Sequence, residues 1–279
     1  MNTRFTLSQR LAFYIAKNHI YDAFEVLRIY KKALAGDKFE STLKNMAEKY
    51  EAELDNELAA IADSGIKMVF YGEKGYPKAL LDLHDAPVML FIKSKTEPDE
   101  LFNSREKAYK AIVGTRDIDS YGIDTTQALV ERLRSTDENT VVVSGLAIGV
   151  DTEAHKTAIE HNLMTIAVLP TYFDSVYPSC NRRLAEILTS ADGCALVTPF
   201  PPGTEPAPVN FLHRNRVIAG LCDSTTVVEA KIKGGAIHTA RLAFSYQRNV
   251  YAVPGRLGDV RSEGCNMLIK TGIAEITTL

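Results

Sequence analysis

Apolar positions in the first sixty residues recur at helical spacing. Leu7, Leu11, Tyr14 and Ile15 share one stripe, and Phe24, Leu27 and Ile29 begin a second. Gly36-Asp37 interrupts the pattern. Leu43, Met46, Ala47, Tyr50, Leu54 and Leu58 then fall on one face, which predicts a single long charged helix ending near Ser64-Gly65. Residues 1–64 therefore read as a small helical domain. They contain no helix-hairpin-helix glycine motif.

From Ile66 the texture changes. Short apolar runs rich in β-branched residues appear at Met68–Tyr71, Val88–Ile92, Ala111–Val113, Val141–Val143, Ile166–Leu169, Ala195–Val197, Thr226–Val228 and Val250–Val253. Helical patterns separate the last six: Ile123–Leu133, Thr152–His161, Asn181–Leu188, His213–Leu221 and His238–Tyr246. Such alternation predicts an α/β fold, a mostly parallel sheet with helices on both faces, over residues 66–279. The Pro-rich stretch Pro199–Pro208 is too short for a domain linker and reads as an ordered loop.

In a parallel sheet the loops after the strands emerge along one carboxyl edge, where open α/β sheets bind ligands. Those loops carry Gly114-Thr115-Arg116, the run Ser144 to Gly149, Pro170 to Pro178, Thr198 to Pro208, Glu229 to Thr239, and Pro254-Gly255-Arg256. Glycine alone closes tight turns, but that does not account for recurring Arg and Lys. Ser144-Gly145 opens a small-residue loop that leads into a helix. Its amides suit either an anion or an ordinary turn. The spacing matches neither the dinucleotide fingerprint nor a P-loop, so no nucleotide cofactor is expected. Arg116 offers a planar fork for phosphate oxygens. Phe211-Leu212-His213-Arg214-Asn215-Arg216 sets an aromatic beside alternating cations, which suits a nucleic-acid strand; packing of Phe211 in the core, with one Arg paired to Asp223, is the alternative. Lys231, Lys233 and Gly235 add two cations beside flexible backbone.

The overall charge pulls the other way. The chain of 279 residues carries a net charge of −3, which by itself argues against nucleic-acid binding. Its distribution is uneven. Nine Lys/Arg face four Asp/Glu between Arg214 and Lys270, while eight acids face three lysines between Asp37 and Asp63. One basic face on an acidic protein is compatible with this. Cys180, Cys194, Cys222 and Cys265 are isolated, with no zinc or disulfide spacing, as expected in a reducing cytosol. Neither a signal-peptide core nor a membrane-length apolar run is present, so a cytoplasmic location is expected.

Catalytic constellations are sparse, and neither catalytic nor metal-binding residues are expected. Asp151 and His155 share a helix face and can pair, which reads as a structural hydrogen bond, since no third metal ligand is suitably spaced. Ser144 lacks a nucleophile-elbow context. Asp174 and Tyr177 have no evident general-base partner.

Ordered short motifs run through the chain from Ile66 onward. They are Tyr76-Pro77 with Leu80-Leu81 and Pro87-Val88-Met89-Leu90, then Val113-Gly114-Thr115-Arg116 with Tyr121-Gly122, then Ser144 to Val150 followed by Asp151, Ala154 and His155. Tyr177-Pro178 with Asn181 comes next. Arg214-Asn215-Arg216-Val217-Ile218-Ala219-Gly220-Leu221, Thr226-Val227-Val228-Glu229-Ala230, Ala252 to Gly255, and Gly264 to Ile269 with Gly272 complete the series. In these motifs the chain resembles the bacterial DNA-processing protein A (DprA/Smf) family. The resemblance implies an extended Rossmann-like fold, homodimerisation, single-stranded DNA held in a basic pocket, and loading of the recombinase RecA during natural transformation, without catalysis. By position it assigns the pocket to Arg116, Phe211, Arg214, Asn215, Arg216, Lys231, Lys233, Gly235 and Thr239.

The chain departs from the family pattern at Gly234 to Ala240, where two hydroxyl donors are missing, at Thr198-Pro199, and at Leu212, where Pro is usual. The sequence stops at Leu279, so the winged-helix domain some members carry is not expected. The main rival is a nucleotide phosphoribohydrolase of the lysine-decarboxylase-like group, whose glycine loop is followed by a catalytic Glu. Gly234-Gly235 begins a similar loop, but three residues past Thr239 stands Leu242. A nuclease lacks its cluster of metal-binding acids, and the basic edge speaks against a pure scaffold.

Overall fold

The computed structural model describes residues 4–18, 23–36 and 41–277. Asp37, and the side chain of Phe24, lie outside what it describes. Helices α1 (Leu7–Asn18), α2 (Ala23–Leu34), α3 (Ser41–Lys49) and α4 (Glu51–Asp63) come first. The one long helix expected over 43–58 is two, α3 and α4, which meet at Tyr50 with φ −98° and ψ 22°. The reason lies in what each half covers: α3 packs on α1 and α2, whereas α4 packs on α1 and the first strand. Leu54, Leu58 and Ile61 are buried, while Tyr50 turns outward.

The α/β part follows as β1 (Lys67–Phe70), α5 (Lys78–Leu81), β2 (Met89–Lys93), α6 (Pro98–Asn103), β3 (Ala108–Val113), α7 (Ser120–Thr136), β4 (Thr140–Ser144), α8 (Val150–Glu160), β5 (Met164–Val168), α9 (Arg182–Ser190), β6 (Ala195–Thr198), α10 (Pro208–Leu221), β7 (Ser224–Val227), α11 (Gly235–Ser245), β8 (Asn249–Ala252), α12 (Glu263–Lys270) and β9 (Glu275–Ile276). Among the described residues these strands form one sheet in the order β1-β2-β6-β5-β4-β3-β7-β8-β9. All pairings from β6 to β9 are parallel, and β1 and β2 add an antiparallel margin beside β6. This is the expected Rossmann-like arrangement. Among the described residues no helix is long and apolar enough to cross a membrane.

The period-two alternation of side chains divides each parallel strand between two cores. Ile112 and Val142 face α7 and α8, and Ala167 and Leu196 face α9, so helices cover one side of the sheet. Val113, Val141, Val143, Ile166, Val168 and Val197 point the other way, towards α10 and α11. Leu11 and Ile15 of α1, Leu27 of α2 and Leu58 of α4 join that second core. Phe91 of β2 ties the two parts together: its ring lies edge-on to Phe13 of α1 at 6.4 Å and to Tyr172 at 5.5 Å.

The chain order creates a crevice. β4, β5 and β6 are laid down on one side of β3, and the chain then crosses back through α10 to place β7 on its other side. The loops after β3 and β7 diverge at this point, where doubly wound sheets bind ligands.

Phe91 is fully buried. Replacing it with Ala is expected to cost roughly 3–5 kcal/mol, read as a drop in the midpoint of a chemical denaturation curve. A loss below about 1 kcal/mol would mean that α1 does not pack on the sheet as described.

Candidate nucleic-acid interface

A pocket of about 290 Å³ opens at that crevice. The loop after β3 contributes Gly114, Thr115 and Arg116, the loop after β4 contributes Ala147, and α10 contributes Phe211, Arg214 and Asn215. Lys231, Gly234, Gly235, Ala236 and Thr239 close it from the β7–α11 side. Gly235 and Ala236, in the first turn of α11, line the pocket, and a helix N-terminus favours an anion; the Ile237 amide is already taken by the Gly234 carbonyl at 3.1 Å. Gly149 makes the close assembly of the loops possible. Its φ is +82°, and a Cβ there would overlap the Thr115 carbonyl oxygen; the next amide, Val150, donates to that same oxygen at 3.2 Å.

Arg214 is the innermost cation. Its Nη1 donates to the carbonyls of Gly145 and, at 2.7 Å, Val168; its Nε donates to Asn215 Oδ1 at 3.0 Å. Burial pulls its pKa down to about 10, against the opposing charge of Asp151. Asp151 is the one carboxylate among the lining residues, and it is engaged: its Oδ2 accepts from the amides of Gly145 at 3.0 Å and Ala147 at 3.4 Å. Burial raises the Asp151 pKa in spite of Arg214. The small-residue loop thus turns two of its amides towards the protein's own carboxylate.

Arg116 lies at the rim and is exposed. Its guanidinium carbon is 5.1 Å from the Phe211 ring centroid, and that of Arg214 is 6.0 Å away, both within cation–π range. The Tyr177 ring meets Phe211 edge-on at 5.5 Å. Among the described residues, Arg116, Lys231 and Lys233 take part in no ion pair.

Of the residues singled out from the sequence, Arg116, Phe211, Arg214, Asn215, Lys231, Gly235 and Thr239 converge on the pocket wall. Four do not. Ser144 is buried beneath it, its hydroxyl donating to the Ile112 carbonyl at 2.6 Å. Gly145 stands behind Arg214, whose guanidinium a Cβ there would strike. Lys233 is exposed on the neighbouring loop, away from the lining. Arg216 faces the opposite side of α10: its Nε lies 3.2 Å from buried Asp85, and its Nη1 lies 2.7 Å from His213 Nδ1. The helical period separates it from Arg214, since residues two apart do not share a face. Asp223 pairs with neither arginine; it lies 3.9 Å from Lys110 and accepts from the Tyr109 amide. Phe211 is half-buried between cations and Tyr177, outside the apolar core. Asp151 and His155 do not pair either. His155 Nδ1 meets the Thr165 hydroxyl at 2.7 Å, and burial lowers its pKa to about 3.

The profile of the DNA recombination-mediator protein A family matches residues 67–279. The chain belongs to this family. It is 35% identical over 203 residues to DNA processing protein DprA of Streptococcus pneumoniae, covering 73% of this chain and 68% of that protein. Among solved structures, DNA processing protein A from Streptococcus pneumoniae superposes with a TM-score of 0.79 at 28% identity, covering 98% of this chain and 95% of that one. The second, from Helicobacter pylori, gives a TM-score of 0.66 at 30% identity, covering 76% and 90%; that structure concerns the relative's single-stranded DNA binding mode.

One carboxylate behind the Arg116 loop escaped the sequence reading. Glu229 is buried, receives the Asp119 amide at 3.4 Å, and lies so close to Gly122 that a Cβ there would collide with it. Burial, and then the charge of Asp119, raise its pKa to about 7. Only the fold could reveal this, since Asp119 and Glu229 are 110 positions apart.

Two expectations follow from this geometry. Arg214→Ala removes the donor to two buried carbonyls and the positive charge near buried Asp151 and is expected to destabilise by roughly 3–5 kcal/mol, whereas exposed Arg116→Ala should stay within about 0.5 kcal/mol. Denaturation curves of the two variants distinguish a buried strut from a rim residue, and equal losses would contradict the assignment. For Glu229 the folded pKa lies above the ordinary value of 4.5. Its stabilising contribution is present below that value and is lost as pH rises towards 7. The melting temperature of Glu229→Gln should therefore gain on wild type between those limits and keep a constant lead above them; parallel curves would refute this.

Proposed function

We propose that the chain binds single-stranded DNA in this pocket, protects it, and hands it to RecA during natural transformation, as a cytoplasmic homodimer without catalysis, cofactor or metal. The observation that carries the reading is the pocket wall itself: Arg116 and Lys231, in no ion pair among the described residues, the N-terminus of α11 at Gly235 and Ala236, and an aromatic ring near two guanidinium groups. Phosphates meet cations and amides, and a ring or fork can stack on a base, without reading sequence. Family membership supports the same reading, as does the single-stranded DNA binding of the Helicobacter pylori relative. The DNA site belongs to the Rossmann-like unit, 66–279, and the helical unit, 1–64, braces it.

Two observations speak against a hydrolytic role at the same loop. Leu242 stands where the phosphoribohydrolase pattern needs a carboxylate, and the Asp151 carboxylate is bound to backbone amides.

The test is a binding titration with labelled single-stranded and duplex oligonucleotides at several salt concentrations, without metal or nucleotide. Single strands should bind tighter, with affinity falling as salt rises by about 0.7 log units per log salt for each phosphate contacted. Arg116→Ala should weaken binding to all sequences alike and lower that slope by about 0.7. Equal affinity for duplex, a flat salt response, or release of free base from a nucleotide would overturn the reading.

A further inference from the structure

Two loops carry the exposed cations of the pocket wall. Arg116 follows β3 and Lys231 follows β7. Both loops meet at one buried carboxyl group. Glu229, two residues before Lys231, is 1% exposed and reaches across to the other loop. Its Oε2 accepts from the amide of Asp119, three residues after Arg116, at 3.4 Å. The same oxygen is packed against Gly122 in the first turn of α7, where there is no room for a Cβ. The Asp119 carboxylate caps that helix, its Oδ1 accepting from the Gly122 amide at 3.1 Å. It also lies within hydrogen-bonding reach of the Glu229 carboxyl. Two bare carboxylates cannot bond to each other; they need a proton between them. Glu229 Oε1 makes the same demand. It is buried and has no partner among the described residues, so an ionised Glu229 would leave that oxygen unsatisfied.

Resting on the single-stranded DNA reading above, we propose that Glu229 and Asp119 share one proton and act as a positioning pair, whose protonated bridge holds the Arg116 loop against the end of β7 and whose ionisation weakens the grip on DNA phosphate. The step is a plain ionisation: Glu229 gives its proton to solvent, and the pair passes from one negative charge to two. Glu229 loses that proton at about 7, while the Gly122 amide holds Asp119 below the usual carboxylate range. The other groups that face Glu229 do not replace the proton. Arg261, from the loop after β8, is engaged by Asp117, its Nη2 at 3.0 Å from the carboxylate and its Nε at 2.8 Å from the carbonyl. Burial pushes the Cys265 thiol of α12 up, so it stays neutral. The bridge is therefore intact below neutrality and lost above it, when like charges face each other across the two loops. A bound phosphate adds a further negative charge nearby, so DNA favours the protonated pair and its binding takes up a proton.

The experiment measures affinity for an oligothymidylate at fixed ionic strength, from about pH 6 to about pH 8.5, across the range in which one proton leaves. Wild-type affinity should fall towards the alkaline end by up to about tenfold per pH unit, the limit for a single proton. Glu229→Gln keeps the bridge, with an amide hydrogen in place of the proton. It should match wild type at the acid end and lose the fall. Asp119→Asn still caps α7 and donates to an ionised Glu229, so it too should bind without the fall. Glu229→Ala is neutral but cannot bridge. It should bind at the acid end as weakly as wild type does at the alkaline end, which separates positioning from a change in charge. NMR of the side-chain carboxyl carbon in the free protein should give Glu229 a midpoint near 7 that drops to the ordinary carboxylate range in Asp119→Asn. The same fall in Glu229→Gln, Ala binding as well as Gln at the acid end, or a wild-type Glu229 that titrates in the ordinary range would overturn the pair. Wild type that binds no single strand at any of these pH values sinks the DNA reading and the proposal with it; binding that ignores pH leaves that reading standing and removes only the pair.

Discussion

The buried guanidinium of Arg214 is the constraint around which the carboxyl edge is organised. A charged group out of water must find compensation, and Arg214 finds it in the Gly145 and Val168 carbonyls, the Asn215 side chain and the nearby charge of Asp151. The two carbonyls stand at the ends of β4 and β5, so the arginine ties α10 to the strands beneath it. Asp151, held at the start of α8 by the amides of its own preceding loop, contributes the opposing charge. Three elements distant in sequence thereby acquire one geometry.

The same demand explains the asymmetry of α10. One face carries Phe211, Arg214 and Asn215 into the pocket. The other carries Arg216 to Asp85, which also accepts from the Tyr246 hydroxyl at 2.6 Å. Each arginine is anchored on a different side, so the helix cannot roll without breaking one buried set of contacts. Phe211 is consequently presented at a fixed angle to Arg116 and Tyr177.

The division between sealed and exposed cations follows from solvent. Arg214 is sealed and its donors are largely committed, whereas Arg116 and Lys231 stand at the rim in water. A chain with a net charge of −3 can still show a basic mouth, because local field depends on which charges are paired nearby. Asp117 illustrates the pairing: it lies next to Arg116 in sequence, yet binds Arg261 at 3.0 Å.

The sequence by itself determined the strand and helix alternation, the mostly parallel sheet, and the loops that hold Arg116 and Lys231, because period-two and period-3.6 patterns are local and strand-end glycines are visible without a fold. Short elements such as α5, α6 and β9 left no such signal, being too brief for a period to show. The stripe over 43–58 ran on through Tyr50 because spacing alone does not tell a straight helix from two that turn to meet different partners. Which arginine of the Arg214–Arg216 pair faces the pocket was decided by the packing of α10, and Asp85, the partner of Arg216, lies far away in the chain. The proximity of Glu229 to Asp119, and of Tyr177 to Phe211, likewise arose only when the strand order brought distant loops to one edge. Charge burial and contact across a sheet are properties of three-dimensional neighbours, and a linear pattern carries no record of them.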